Sequence, residues 1–255
     1  MTPEISVIAP LARLPDKSGV PEISVIAPLY NEAPNVQPLA QKVFEAFREE
    51  KRPIELILVD DRSTDATWQE ILKARQADTR IRALRHQSQS GQSAALWTGF
   101  QASRGEAIAT LDGDLQNDPA DIPAVVDRIG DDVDCCCGYR ANRMDKASRR
   151  VASRLANAVR NRALGESIID TGCSIKAFKV AFVRNLQPWD GLHRFFTSFV
   201  AMQGGRICQI PVNHRPRAAG KSKYTNWRRL QKTLRDLRGV VWLKSRTRRY
   251  QVEER

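Results

Sequence analysis

The sequence predicts an α/β fold, a mostly parallel sheet flanked by helices, with a basic amphipathic helical tail at its C-terminal end. Three observations carry this. Apolar runs of strand length alternate with segments of helical periodicity, the rhythm of parallel strands joined by right-handed crossovers. Three of those runs end in polar or acidic clusters, Tyr30-Asn31-Glu32, Asp60-Asp61 and Asp112-Gly113-Asp114. Residues 227–255 repeat apolar side chains at steps of three and four among arginines and lysines.

The elements follow in order. Residues 3–11 (PEISVIAPL) recur unchanged as residues 21–29. A strand used once in a sheet leaves one copy surplus. The second copy runs on into Tyr30-Asn31-Glu32, so residues 23–27 are assigned as the first strand and residues 1–20 as an N-terminal extension. The period does not continue, which excludes a solenoid. Val36, Leu39, Val43 and Phe47 place a helix within 35–51. Residues 54–59 (IELILV) form a buried strand ending at Asp60-Asp61. Ser63-Thr64-Asp65 supplies N-cap chemistry for a helix to about Ala77. A weaker strand at 81–84, a helix at 91–103 and a strand at 108–111 lead to Asp112. Asp118 caps a helical turn opened by Pro119, and residues 133–137 form a further strand. The domain spans 21–226 and the tail 227–255.

On an extended chain residues i and i+2 face the same side, so Asp112 and Asp114 project together. Two aligned carboxylates repel unless a cation lies between them, and oxygen ligands of this kind suit Mg²⁺ or Mn²⁺ with positions left open for phosphates. Asp-Gly-Asp is also ordinary turn chemistry. Ligands of parallel sheets collect outside the carboxyl ends of the strands. Three clusters on that one edge favour the metal reading over three unrelated turns.

Composition bounds the rest. The chain has 255 residues, 42% of them hydrophobic, enough for one large domain with a core. Lys and Arg number 41 against 29 Asp and Glu, a net charge of +12 that calls for an anionic partner. Residues 140–165 hold eight Lys/Arg against Asp145 alone, and residues 227–255 hold ten against three acids. Each segment is therefore +7, and the remainder of the chain is slightly acidic. Five cysteines, three of them consecutive at 135–137, lack the paired spacing of a zinc or disulfide framework. Cys135 and Cys137 are read as small core fillers in a reducing cytoplasm. No run reaches the roughly 18 apolar residues of a membrane span, and the N-terminal residues do not have the pattern of a secretion signal.

Several ordered motifs resemble the family-2 glycosyltransferases of GT-A fold: Pro28-Leu29-Tyr30-Asn31-Glu32, Val59-Asp60-Asp61-Arg62-Ser63-Thr64-Asp65, Gly91-Gln92-Ser93-Ala94-Ala95 and residues 111–119. Asp170-Thr171-Gly172-Cys173, His193-Arg194-Phe195 and Arg217-Ala218-Ala219-Gly220-Lys221-Ser222-Lys223-Tyr224 are similar to the dolichyl- or polyprenyl-phosphate sugar transferase branch. The likeness covers about residues 21–226. It implies that Pro28, Tyr30, Glu32, Asp60, Asp61, Gln92 and Asp112 bind a nucleotide-sugar donor, GDP-mannose or a UDP-sugar. It implies Asp112, Asp114 and Gln116 as ligands of Mg²⁺ or Mn²⁺, and Arg140, Arg154, Arg217 and Lys223 as the seat of a polyprenyl-phosphate acceptor. Asp114, Arg140 and Arg217 are then the catalytic set, and transfer inverts the anomeric centre. The chain departs from the pattern at Arg62, where the family usually has glycine, and a side chain there opposes a positive-φ conformation.

His193 is open between a place at the acceptor side and a hydrogen-bonded packing role. Trp189-Asp190-Gly191 reads as a loop, with Asp190 a cap before it is a base. In the tail, Trp227, Leu230, Leu234, Leu237 and Val241 form a stripe flanked by Arg228, Arg229, Lys232, Arg235 and Arg238. Such a helix can lie on an anionic membrane surface, each nearby cation adding about 1 kcal/mol, or pack on the domain or on a second subunit. The expected setting is cytoplasmic, at the inner face of the membrane. A non-lipid saccharide acceptor is the alternative within the fold, although a neutral acceptor has no need of the Arg217-to-Lys223 segment. A basic nucleic-acid-binding protein is the alternative outside it. No nucleic-acid motif is present, and the acidic clusters would repel a phosphate backbone.

Overall fold

The computed structural model describes residues 21–141, 147–214 and 226–248. The expectations for the 1–20 extension and for Arg217 and Lys223 fall outside these. In order the elements are β1 (Ile23–Leu29), α1 (Ala33–Ala46), β2 (Ile54–Asp60), α2 (Thr67–Ala77), β3 (Ile81–Arg85), α3 (Gln92–Ala102) and β4 (Ala107–Thr110). There follow α4 (Ile122–Val126), β5 (Cys135–Arg140), α5 (Ala147–Leu164), β6 (Lys176–Lys179), α6 (Val180–Val183), α7 (Phe196–Met202), β7 (Ile207–Val212) and α8 (Asn226–Arg246).

The seven strands form one sheet in the order β3-β2-β1-β4-β6-β5-β7. All neighbours pair in parallel except β6, which runs antiparallel to both β4 and β5. The first four strands therefore deliver their C-terminal ends to one edge. There β1 hands over to Tyr30, β2 to Asp61 and β4 to Asp112.

Strand alternation splits the core into two layers. Ile23, Val25, Ala27 and Leu29 of β1 with Leu56 and Leu58 of β2 pack under α1, α2 and α4. Ile26, Ile57 and Val59 face the other way, toward α3 and α7. The cysteine triplet obeys the same rule: Cys136 lies in the first layer, Cys135 and Cys137 in the second, all fully buried. Burial and a thiol contact raise the Cys135 pKa, whereas its partner in that 3.6 Å Sγ–Sγ contact, Cys137, is lowered. Phe100, Phe178 and Phe196 close the second layer edge to face, centroids 5.1–6.1 Å apart.

The sequence reading and the structure differ at several ends. Strand β1 runs two residues past Ala27, because Leu29 pairs with Asp60 across the ladder. Helix α1 starts at Ala33 with Pro34 in its first turn and stops at Ala46. The N-cap of α2 is Ala66, without a side-chain cap, and Asp65 one residue before it accepts from Thr67 N–H at 2.9 Å. Asp118 caps the turn at Pro119 as expected, accepting from Ala120 N–H.

Arg62 adopts φ +61 despite its side chain. The positive φ is thus kept without the glycine, at a cost of about 1–2 kcal/mol.

Helix α8 packs on the domain. Leu237 and Val240 are buried against Leu164 of α5, Phe195 and Met202. Arg194 pairs with Asp236, and Lys232 with Asp190. Among the described residues no helix is long and apolar enough to cross a membrane.

Candidate active site

The site is built on the carboxyl edge where β1, β2 and β4 end. Beyond β4 the chain turns sharply: Gly113 is pressed against β1 so closely that a Cβ there would lie 2.3 Å from Leu29 Cδ2, and Leu115 takes φ +57 with its side chain buried. This leaves Asp112 and Asp114 half-buried on the turn. Asp114 Oδ1 accepts from Gln116 N–H at 3.2 Å. Asp112 N–H donates to Ser174 Oγ at 3.1 Å, and Ser174 Oγ also accepts from Asn117 Nδ2 at 2.7 Å. Gln92 Nε2, from the first turn of α3, donates to Asp112 Oδ1 at 2.8 Å.

Burial and then the like charge of Asp114 push the Asp112 carboxyl up to about 6, against the opposing pull of Lys176, Ser174 and Arg140. Asp112 is thus repelled by Asp114 and only partly offset by Lys176 and Arg140, an electrostatic condition that a divalent cation relieves. Among the described residues no group of three His, Cys, Asp or Glu side chains is arranged to hold a metal. Two carboxylates with the Gln116 amide nearby fit a hard ion that keeps most of its positions for water and phosphate oxygens.

The carboxylates of the β2 cluster are engaged by the chain itself. Asp60 is fully buried; its Oδ1 accepts from Ser63 N–H at 3.0 Å, and Arg85 Nε lies 2.8 Å from Oδ2 in an ion pair not aligned as a hydrogen bond. Asp61 binds the chain on the far side of β3: Oδ1 meets His86 Nδ1 at 2.8 Å and Ser90 N–H at 2.7 Å, and Oδ2 accepts from Gly91 N–H at 2.8 Å. Burial works against this charge. The His86 contact and the two N–H donors prevail, and the carboxyl sits below its usual value. The β1 loop is tied to the same region, since Ser63 Oγ accepts from Asn31 N–H at 2.9 Å and Thr67 Oγ1 from Glu32 N–H at 2.8 Å. Glu32 in turn accepts from Asn35 Nδ2 at 2.6 Å. Pro28 and Tyr30 flank this loop, partly exposed.

Arg140 ends β5 and reaches back to Asp170. Its Nε and Nη2 lie 2.7 and 2.9 Å from the two carboxylate oxygens, a two-pronged pair that fixes the guanidinium within electrostatic reach of Asp112. Arg154 stands exposed on α5. Three contributors escaped sequence reasoning. Lys176 is a buried cation on β6, opposite Thr110 in register, that donates to the Cys173 carbonyl. Ser174 gathers the Asp112 turn, and Asp170 aims Arg140. The Asp170 motif was visible as a motif, but nothing in it named its arginine.

Residues 24–186 match the model of glycosyl transferase family 2. The chain is 38% identical over 204 residues to dodecaprenyl-phosphate galacturonate synthase of Rhizobium johnstonii, covering 77% of this chain and 60% of that protein. It is 35% identical over 203 residues to undecaprenyl-phosphate 4-deoxy-4-formamido-L-arabinose transferase of Pseudomonas aeruginosa, covering 79% and 60%. The chain thus spans about 60% of the length of these curated relatives. Its fold superposes on glucosyl-3-phosphoglycerate synthase of Mycobacterium tuberculosis, solved with Mn²⁺, UDP and glucosyl-3-phosphoglycerate, with a TM-score of 0.66 at 18% identity over 89% of this chain and 81% of that one. With its GT-A sheet, its acidic turn after β4 and a family match across most of the folded domain, this chain belongs to glycosyl transferase family 2.

Proposed function

We propose that the protein transfers a sugar from a nucleotide-diphosphate sugar, GDP-mannose or a UDP-sugar, to a polyprenyl or dolichyl phosphate at a membrane surface, with inversion and with Mg²⁺ or Mn²⁺. The observation that carries this reading is the meeting, on one sheet edge, of the Asp112 and Asp114 carboxylates with the Arg140 guanidinium held by Asp170. The relatives named for polyprenyl phosphates support the acceptor, and the neighbour that holds Mn²⁺ and UDP supports the donor and cation.

In this reading the bond from the anomeric carbon to the diphosphate oxygen breaks as a bond to an acceptor phosphate oxygen forms on the opposite face. The acceptor oxygen is already ionised near neutral pH, so it has no proton to lose and needs positioning more than a base. Arg140, with Arg154, Arg217 and Lys223, orients that phosphate through charge-assisted hydrogen bonds. Asp112, Asp114 and Gln116 hold the cation, which when bound offsets the charge that develops on the departing diphosphate. Pro28, Tyr30 and Glu32 line the nucleoside end, and Asp60 and Asp61 keep the loops that shape it in place. Outside the site, Leu155 and Val159 of α5 and Trp242 and Leu243 of α8 are exposed apolar side chains near exposed Arg154, Arg238 and Arg246. This surface suits an anionic leaflet.

A thermal-shift panel of UDP, GDP and their sugars, with and without Mn²⁺, tests the donor. A ligand at 100 times its Kd stabilises by about 2.7 kcal/mol, so a flat response overturns the reading. Transfer of labelled sugar to undecaprenyl phosphate, absent with EDTA, tests the acceptor and the metal.

A further inference from the structure

Ser93 is the second residue of α3, next in sequence to Gln92, and its side chain is buried. Its Oγ is a junction. His193 Nδ1 lies 2.7 Å away, and Gly191 N–H donates to it at 3.0 Å, both from a segment a hundred residues further along the chain. Oγ accepts from Gly191 N–H and, at 3.5 Å, from His193 N–H, which occupies both lone pairs and directs its own hydrogen to Nδ1, so the imidazole is the acceptor. The first turn of α3 is thereby gripped from two sides. Asp61 holds Ser90 and Gly91 from the β2 side, and the 191–193 turn holds Ser93 from the α7 side.

The second grip reaches further. Arg194 pairs with Asp236 of α8 at 3.3 Å, and Asp190 pairs with Lys232. Trp189 packs on Phe195 and Phe199, with centroids at 5.8 and 6.3 Å. A continuous set of contacts thus runs from α8 through the 189–195 turn and Ser93 to Gln92, whose amide donates to Asp112.

We propose that His193 is a positioning residue of the donor site. Through Ser93 Oγ it fixes the first turn of α3 and so keeps the Gln92 amide on Asp112. This deepens the functional reading above and rests on it. A group that orients a metal-binding carboxylate from one contact away commonly changes metal affinity by about 10- to 100-fold. His193 acts two contacts away, so the lower end of that range applies.

The test uses the full chain and three variants. His193→Asn places an amide oxygen near the position of Nδ1 and can still accept from Ser93, His193→Gln places its polar group near Nε2, and His193→Ala has neither. Apparent Kd for UDP and for GDP, each with Mn²⁺, is measured by calorimetry, and amide exchange is followed in 92–96 and 112–116. The expected result is about tenfold weaker Mn²⁺-nucleotide binding and faster exchange in both segments for Ala and Gln, with Asn close to wild type. Unchanged exchange in 92–96 for Ala overturns the proposal, as does faster exchange there with unchanged binding. Equal loss in Asn and Gln also overturns it, because the Nδ1 contact would then be immaterial. If the wild type binds neither nucleotide, the functional reading fails and the exchange data decide the clamp alone: faster exchange in both segments sustains it, and in 92–96 only defeats it.

Discussion

Arg140 and Asp170 meet through two parallel contacts, Nε to Oδ2 at 2.7 Å and Nη2 to Oδ1 at 2.9 Å, with both side chains largely shielded from water. Removing one partner strands the other, a loss that costs more than the pair contributes. Asp170→Ala is expected to destabilise by about 3 kcal/mol in urea unfolding and to raise the KM for lipid phosphate. Asp170→Asn, which keeps one acceptor, is expected to cost less on both counts.

Asp112→Asn and Asp114→Ala each remove one charge from a pair that repels in the protein alone. The fold is expected to hold, with an unfolding midpoint equal to or above wild type without metal. Stabilisation by Mn²⁺ with a nucleotide diphosphate is expected to vanish, and turnover to fall by about a hundredfold or more. Near wild-type turnover in either variant would remove that residue from the metal site.

Asp61 gives a pH dependence with a definite sign. Its folded carboxyl lies below the usual value of 3.8. Its contribution to stability is therefore complete above the unfolded value and is lost as pH falls through the folded one. Melting temperatures recorded from pH 3 to pH 7 are expected to drop on the acid side, below about pH 4. Asp61→Asn is expected to be less stable near neutrality and to show a shallower acid drop.

Arg62 tests the backbone. At φ +61 an L side chain costs about 1–2 kcal/mol, and glycine returns about 0.5–1 kcal/mol of that through the freer unfolded chain. Arg62→Gly is expected to stabilise by about 0.5–1 kcal/mol in urea titration. A loss of stability would mean that the Arg62 side chain makes a contact worth more than the strain.

Helix α8 separates packing from surface chemistry within a few residues. Leu237 is buried, and Leu237→Ala is expected to cost about 2–4 kcal/mol. Trp242 is 62% exposed, so Trp242→Ala is expected to leave the melting temperature unchanged while weakening flotation with anionic vesicles. Equal flotation of the Trp242 variant and wild type would count against α8 as the membrane-facing element.

The first half of the fold was legible because β1, β2 and β4 are apolar runs buried on both faces, with punctuation at both ends. The second half was not. Strand β6 is only Lys176–Lys179, opening and closing on a lysine, and β7 is a half-buried edge strand without clear alternation. The antiparallel insertion of β6 has no local signature, because direction is decided by which strands it lies between. The spacing singled out Asp112 and Asp114, yet the two lie on a turn beyond β4 and not on the extended chain that the spacing assumed. Gln92 was legible with them, but Ser174 and Lys176 were not, because they come from a short strand and its approach that carry no local signature. Asp61 shows the opposite case. Its motif is conspicuous, yet its carboxylate is directed at His86, Ser90 and Gly91, and only the folded chain reveals that. For His193 the structure shows the packing contact, with Nδ1 2.7 Å from Ser93 Oγ.

The contact of Gly113 with Leu29 and Pro28 leaves no room for a side chain between the turn after β4 and the end of β1. The loop that opens at Tyr30 and the carboxylates at 112 and 114 are consequently mounted on a common wall, and the gap between them behaves as a gauge of fixed length. In the proposed reading, a nucleotide-sugar spanning both must match that gauge at its nucleoside and diphosphate. In the same reading, tolerance for different sugars comes from the opposite wall, at the ends of β5 and α5, which do not carry the clamp on Asp112.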